Sequence, residues 1–281
     1  MNFSVAMSVY RNDKPNDFDR ALESITKLQT VKPTEIVLVV DGPIGEELNA
    51  VVEKYEKAYP FFKVIRLAEN GGLGNALRLA VENAGYELIA RMDSDDISLP
   101  TRFEEQIAYF EKDSFLDIVG GDISEFIGEE ENIVAHRKVP VTDNEIRNYM
   151  RTRCAFNHVS VMYKKTAVKA AGGYLDLFWN EDYYLWIRMQ LNGAKFANTG
   201  TTLVNVRTGT DMYARRGGKR YFQSEKYLQK YMLEHKMIGY ATYISNVTKR
   251  WIVQRCLPNG IRGWVFRKFA RGKIENGTKK V

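Results

Sequence analysis

The densest group of oxygen ligands in the chain, Asp93-Ser94-Asp95-Asp96, follows directly on the apolar run Leu88-Ile89-Ala90-Arg91-Met92. Such a run reads as a strand buried on both faces, and open α/β sheets bind ligands just beyond the carboxyl ends of their strands. Mg²⁺ takes oxygen ligands and is often held by one or two carboxylates together with substrate phosphates. A D-x-D at this place therefore suits a metal–diphosphate complex, although the same aspartates also suit a solvated turn that caps the next helix.

Three further groups could carry chemistry. Asp41 ends the run Glu35-Ile36-Val37-Leu38-Val39-Val40 and precedes Gly42-Pro43; there it could accept from a base N–H or a ribose hydroxyl, or serve as a turn aspartate. Asn70-Gly71-Gly72-Leu73-Gly74-Asn75-Ala76-Leu77 is glycine-rich but lacks G-x-G-x-x-G spacing and follows the third strand, so a dinucleotide fingerprint is excluded, as is a P-loop. Its glycines suit close backbone approach to a ligand or helix packing. Trp179-Asn180-Glu181-Asp182-Tyr183 sets two acids at a helix start between aromatic rings, where the helix dipole favours them and where a carboxylate could act as a general base. His158 has no partner at metal-ligand spacing and reads as structural.

The elements that must position these groups alternate. Strand-like runs at residues 3–10, 35–40, 62–67 and 88–92 are separated by helical patterns at 17–29, 45–58 and 74–83, which implies parallel strands joined by crossovers. A helix at 100–112 leaves the acidic loop. Shorter extended pieces follow at 118–121, 124–127, 133–139 and 160–163, then helices at 183–192 and from 219 to about 254.

Hydrophobic content of 44% and charge of 27% are those of a globular protein. Cys154 and Cys256 suggest neither a disulfide framework nor a zinc site, and a reducing compartment is the expectation. No signal peptide or membrane-spanning run is expected. The net charge of +6 conceals a division: residues 207–281 hold 18 Lys and Arg against 4 Asp and Glu, whereas residues 1–206 are acidic. That asymmetry points to an anionic partner for the basic segment or to a well-solvated helical surface. No nucleic-acid recognition motif accompanies it.

In their order and spacing, Met7-Ser8-Val9-Tyr10, Glu35 to Gly42, Asn70 to Leu77, Ile89 to Asp96 and Asn180-Glu181-Asp182-Tyr183 resemble family 2 glycosyltransferases. The resemblance is nearest to bacterial transferases of capsule, exopolysaccharide and O-antigen assembly, including the amylovoran-biosynthesis type. It implies an α/β GT-A fold with a mostly parallel central sheet over residues 1–206 and a basic helical extension over 207–281. It implies inverting transfer of one sugar from a nucleotide-sugar donor, with UDP the expected carrier and dTDP or GDP the alternatives, to a saccharide acceptor that could be lipid-linked. By the same resemblance Val9 and Tyr10 line the base pocket, Asp41 contacts the base, Asp93 meets the ribose or metal-bound water, and Asp95 ligates Mg²⁺ or Mn²⁺. Asn70, Gly74, Arg78 and Ser94 contribute to the donor site, and Asp182 is the catalytic base.

Processive members of the family carry Q-x-x-R-W and membrane helices, and this sequence has neither. Arg215 and Arg216, beside Gly217-Gly218, are expected to contact the diphosphate from a loop. Trp251, Trp264, Phe266 and Phe269, interleaved with basic residues, suit an anionic lipid interface. The expected location is the cytoplasm, with a peripheral seat on the inner face of the plasma membrane as one use of these residues and helix packing or dimerisation as the alternative; nothing in the sequence sets an oligomeric state. The competing reading is a non-catalytic nucleotide-sugar-binding or scaffold protein of a polysaccharide assembly complex.

Overall fold

The computed structural model describes residues 1–209 and 218–256. Four parallel strands, β1 (Phe3–Val9), β2 (Glu35–Val40), β3 (Phe62–Arg66) and β4 (Leu88–Met92), lie in the order β3-β2-β1-β4. They are linked by α1 (Pro15–Thr26), α2 (Glu46–Ala58) and α3 (Leu73–Asn83). All five residues of β4 are buried, as its continuous apolar run requires. Alternation along β1 divides the core: Val5, Met7 and Val9 pack with α1 and α2, while Ala6 packs with α3 on the other face.

Beyond β4 the sheet becomes mixed. After β5 (Ile97–Ser98) and α4 (Arg102–Lys112) come β6 (Ile118–Phe126), β7 (Ile133–Arg137), α5 (Asp143–Met150), β8 (Met162–Lys164) and α6 (Lys165–Ala170). α7 (Glu181–Leu191) and β9 (Phe196–Arg207) complete the layer. β8 is antiparallel to β4 and β6, β9 is parallel to β6, and β5 is antiparallel to β9. The pieces expected at 118–121 and 124–127 form the single strand β6. A Cβ on Gly121 would lie 2.5 Å from Leu203, so the glycines that seemed to interrupt the strand let β9 approach it. Seven consecutive residues of α7, Tyr183 to Met189, are buried, which is why its amphipathic pattern is weak.

The 219–254 helix is two helices, α8 (Lys219–Glu234) and α9 (Tyr240–Trp251). Lys236 takes a φ of +58°, Gly239 precedes α9, and Met237 N bonds back to Met232 O at 2.9 Å. Leu228, Met232 and Ile238 join the core around α7. Asn180 Nδ2 donates to Ser224 Oγ at 2.9 Å, and Asn246 Nδ2 to Arg151 O at 3.0 Å. The described part of the basic segment is thus seated on the α/β layers. No helix of the described residues is long and apolar enough to cross a membrane.

Beneath the acidic loop, Arg102 is fully buried and donates to Arg91 O at 2.6 Å and to Gln106 Oε1 at 3.1 Å. Burial lowers its guanidinium to about 9. Gln106 in turn donates to Val119 O and Ser160 O, so the pair joins α4 to β4, to β6 and to the turn before β8. Replacing Arg102 by Ala leaves buried acceptors unpaired and opens a void, at a cost of about 3 kcal/mol. Urea denaturation should show a lower midpoint at unchanged slope; an unchanged midpoint would mean the network contributes nothing.

Candidate active site

The carboxyl ends of β1, β2 and β4, the loop before α3 and the start of α7 enclose a crevice of about 630 Å³. Asp41, Asp93, Asp95 and Asp182 all line it, together with Ser8, Tyr10, Asp13, Asn70, Ser94 and Glu181. β4 delivers Asp93 and Asp95 because its chain leaves the sheet there and re-enters as β5, whose Ile97 pairs with Asn205 of β9.

Asp93 is held by both terminal nitrogens of Arg91, whose side chain is 2% exposed. Ser94 Oγ donates to Asp13 Oδ2 at 2.8 Å, and Tyr10 N donates to the same oxygen at 3.0 Å. Burial, with Asp93 adding repulsion, raises the Asp13 carboxyl to about 6 against those two hydrogen bonds. Burial, then Asp93 and Asp13, pushes Asp95 up to about 7. Asp96 is buried and held well above its ordinary value by burial and its neighbours Asp95 and Asp93. Its Oδ1 accepts from Arg207 N at 2.8 Å, and Arg207 also donates to Asp95 O and pairs with Asp17 at 3.2 Å.

Among the described residues, no three His, Cys, Asp or Glu side chains converge to enclose a metal by themselves. The donor set nevertheless fits a divalent cation shared with a ligand. Asp93 and Asp95 both line the crevice, and the repulsion between them is charge that such a cation would relieve.

Asp41 lines the crevice but spends its oxygens locally. Oδ1 accepts from Gly71 N at 2.7 Å, while Oδ2 accepts from Gly72 N at 3.0 Å and Asn70 Nδ2 at 2.9 Å. The carboxylate orders the glycine-rich loop, leaving on Oδ1 one acceptor position for a ligand. Gly42 closes the arrangement: its φ is +85°, and a Cβ there would lie 2.7 Å from Asn70 N. Ser8 and Tyr10 face the crevice, whereas Val9 between them is 1% exposed and points into the α1 core. That is the strand's period of two. Gly74 and Arg78 also lie off the crevice lining; Gly74 sits against the Glu181 side chain, and Arg78 pairs with Glu82 and Asn75 on the outer face of α3. Arg215 and Arg216 fall outside the described residues.

Trp179 enters α7 with a φ of +57°, a strained conformation for a bulky residue. Its ring stacks on Phe178 at 4.8 Å. Asn180, anchored to Ser224, starts the helix so that Glu181 and Asp182 stand in its first turn. Burial, then Asp182, raises the Glu181 carboxyl to about 7. Asp182 Oδ1 accepts from Tyr183 N at 2.6 Å. Trp179, Asp182 and Tyr221 also border a second cavity of about 530 Å³. At the crevice floor His158 Nε2 meets Tyr174 Oη at 2.9 Å, and burial together with Arg91 keeps the imidazole neutral.

Sequence reasoning missed Asp13, Arg91 and Arg207. Asp13 sits in an unremarkable polar turn, and Arg91 is disguised inside an apolar strand. Arg207 looks like the first residue of the basic segment but is the last of β9. A basic residue two positions before the first acid was the one available signal.

Residues 4–169 match the family model for Glycosyl transferase family 2. The chain is 38% identical over 238 residues to the amylovoran biosynthesis glycosyltransferase AmsE of Erwinia amylovora, covering 85% of this chain and 88% of that one. It is 35% identical over 269 residues to an Escherichia coli UDP-Gal:alpha-D-GlcNAc-diphosphoundecaprenol beta-1,3-galactosyltransferase, with 96% of each covered. Staphylococcus aureus TarS, solved with UDP-GlcNAc, superposes with a TM-score of 0.62 at 19% identity over 90% of this chain and 73% of that one. The fold is GT-A, parallel where it forms the crevice, and the chain belongs to glycosyl transferase family 2.

Proposed function

We propose that the protein moves one sugar from a UDP-sugar to a hydroxyl of a lipid-linked saccharide during cell-surface polysaccharide synthesis, with inversion and with help from a divalent cation. The observation that carries this reading is the convergence of Asp93, Asp95 and Asp182 on one crevice, with Asp182 also open to a second cavity. The names of the relatives support the UDP donor, the diphospholipid acceptor and the polysaccharide setting.

In this reading Asp182 accepts the proton of the acceptor hydroxyl as its oxygen attacks the anomeric carbon. The bond from that carbon to the diphosphate oxygen breaks on the opposite side, and UDP leaves with the electron pair. A cation held by Asp93 and Asp95 would neutralise charge on the leaving diphosphate. Arg91 keeps Asp93 aimed, Tyr10 offers a ring to the base, and Asp41 presents the glycine-rich loop and one acceptor position. The basic segment, residues 207–281, is proposed to rest on the inner face of the plasma membrane, with exposed Trp251 on the described part. Arg250 does not serve there, since it is turned inward onto Glu225 at 2.5 Å.

Asp182→Asn should lower turnover by on the order of 10³ while UDP affinity stays within about threefold, measured by donor turnover and calorimetry. Chelation should abolish wild-type turnover and Mn²⁺ or Mg²⁺ restore it; activity retained in the variant, or in excess chelator, would overturn the mechanism.

Glu181 gives a pH test. Its folded value lies above its unfolded one, so its stabilising contribution is complete below about pH 4.5 and is lost as pH rises through about 7. Glu181→Gln should therefore melt like wild type near pH 4.5. At pH 8 it should be more stable by on the order of 2 kcal/mol, read as a higher melting temperature. Equal melting at both pH values would show that the charge is not confined.

A further inference from the structure

The two cavities that share Asp182 carry opposite charge. The donor crevice presents Asp13, Asp41, Asp93, Asp95 and Glu181 with Arg91 as its basic group, whereas the second cavity is lined by Arg137, Arg153, Lys249 and Arg250 with Glu225 as its acid besides Asp182. A base that deprotonates an acceptor must have donor on one side and acceptor on the other. The second cavity therefore stands on the acceptor side.

Against the two acids Glu225 and Asp182 the cavity still carries a surplus of positive charge, for which a neutral sugar gives no reason. Guanidinium groups match phosphate oxygens in paired geometry and lysine supplies a point charge. The scaffold already fixes part of the set: Arg250 is tied to Glu225 and donates to Thr152 O at 2.8 Å, and Arg137 donates to Cys154 O at 2.8 Å. Lys249 and Arg153 stand at the exposed rim, where a long lipid could leave toward a membrane. At about 530 Å³ the space falls in the range of small-molecule sites.

We infer that this cavity binds the diphosphate that joins the acceptor saccharide to its lipid, so that Asp182 stands between two diphosphates, the donor's and the acceptor's. The inference rests on the transferase reading and adds the acceptor's anionic group as the feature recognised. Arg153 and Lys249 would then select diphosphate-linked acceptors over neutral glycosides.

The test uses the full chain, with the donor crevice first filled by saturating UDP and Mn²⁺, and geranyl diphosphate titrated by calorimetry. Wild type should bind it and ignore geraniol. Arg153→Gln with Lys249→Gln should lose at least tenfold in affinity for the probe at unchanged UDP affinity, and Arg153→Lys with Lys249→Arg should restore it. Absence of binding, binding abolished by UDP, or equal affinity in the Gln pair would overturn the inference. Failure of the transferase reading shows separately, as absent UDP binding or as turnover retained in Asp182→Asn; the probe titrated without UDP then still reports on Arg153 and Lys249.

Discussion

The structure turns on a charge placed where charge is expensive. Arg91 lies in the middle layer of the sheet, 2% exposed, with its guanidinium on Asp93. An ionised group in such surroundings persists only when paired and hydrogen-bonded, so Arg91 requires Asp93, which stands partly exposed at the crevice. Around them the carboxyls of Asp13, Asp95 and Asp96 are raised by burial and by neighbouring carboxylates, Asp93 acting on all three. Such a cluster would splay apart on a free loop. Here β5 pins it to β9, and Arg207 clamps Asp96, Asp95 and Asp17 from the strand's end. The second half of the sheet thus holds in place the carboxylates in which the first half ends.

This dependence explains what the sequence revealed. β1 to β4 and α1 to α3 were legible to within a residue or two at most ends because each is a local pattern: a buried apolar run or an amphipathic stripe bounded by turn residues. β9, the longest strand, was not. Its residues Asn198 to Thr202 are polar or glycine, and it is a strand because β6 offers a close-fitting edge at Gly120 and Gly121. α5 carried a local signal that went unread, the Thr142–Glu145 capping box. The break between α8 and α9 depends on Lys236 adopting positive φ, which no periodicity announces.

Site residues divide in the same way. Acids at strand ends were legible because strand termini point at ligands. The partition of Ser8, Val9 and Tyr10 needed the pleat's phase, and Asp41's commitment to the Asn70–Gly72 backbone needed the loop's coordinates. Arg78 was misleading for a geometric reason: one helical turn from the glycine loop it already lies on the outer face of α3, paired with Glu82.

The family model ends at residue 169, before Asp182 and before the helices that form the second cavity. The first crevice is built from the strand ends of the parallel layer, whereas the second cavity is assembled largely from α7, α8 and α9, which long-range contacts such as Asn180 to Ser224 and Asn246 to Arg151 hold in place. Asp182 borders both cavities from the first turn of α7, whose residues Tyr183 to Met189 are buried and anchor it in the core shared with α3. In the proposed reading the base thus sits on a buried helix, while Lys249 of α9 stands exposed at the rim of the second cavity.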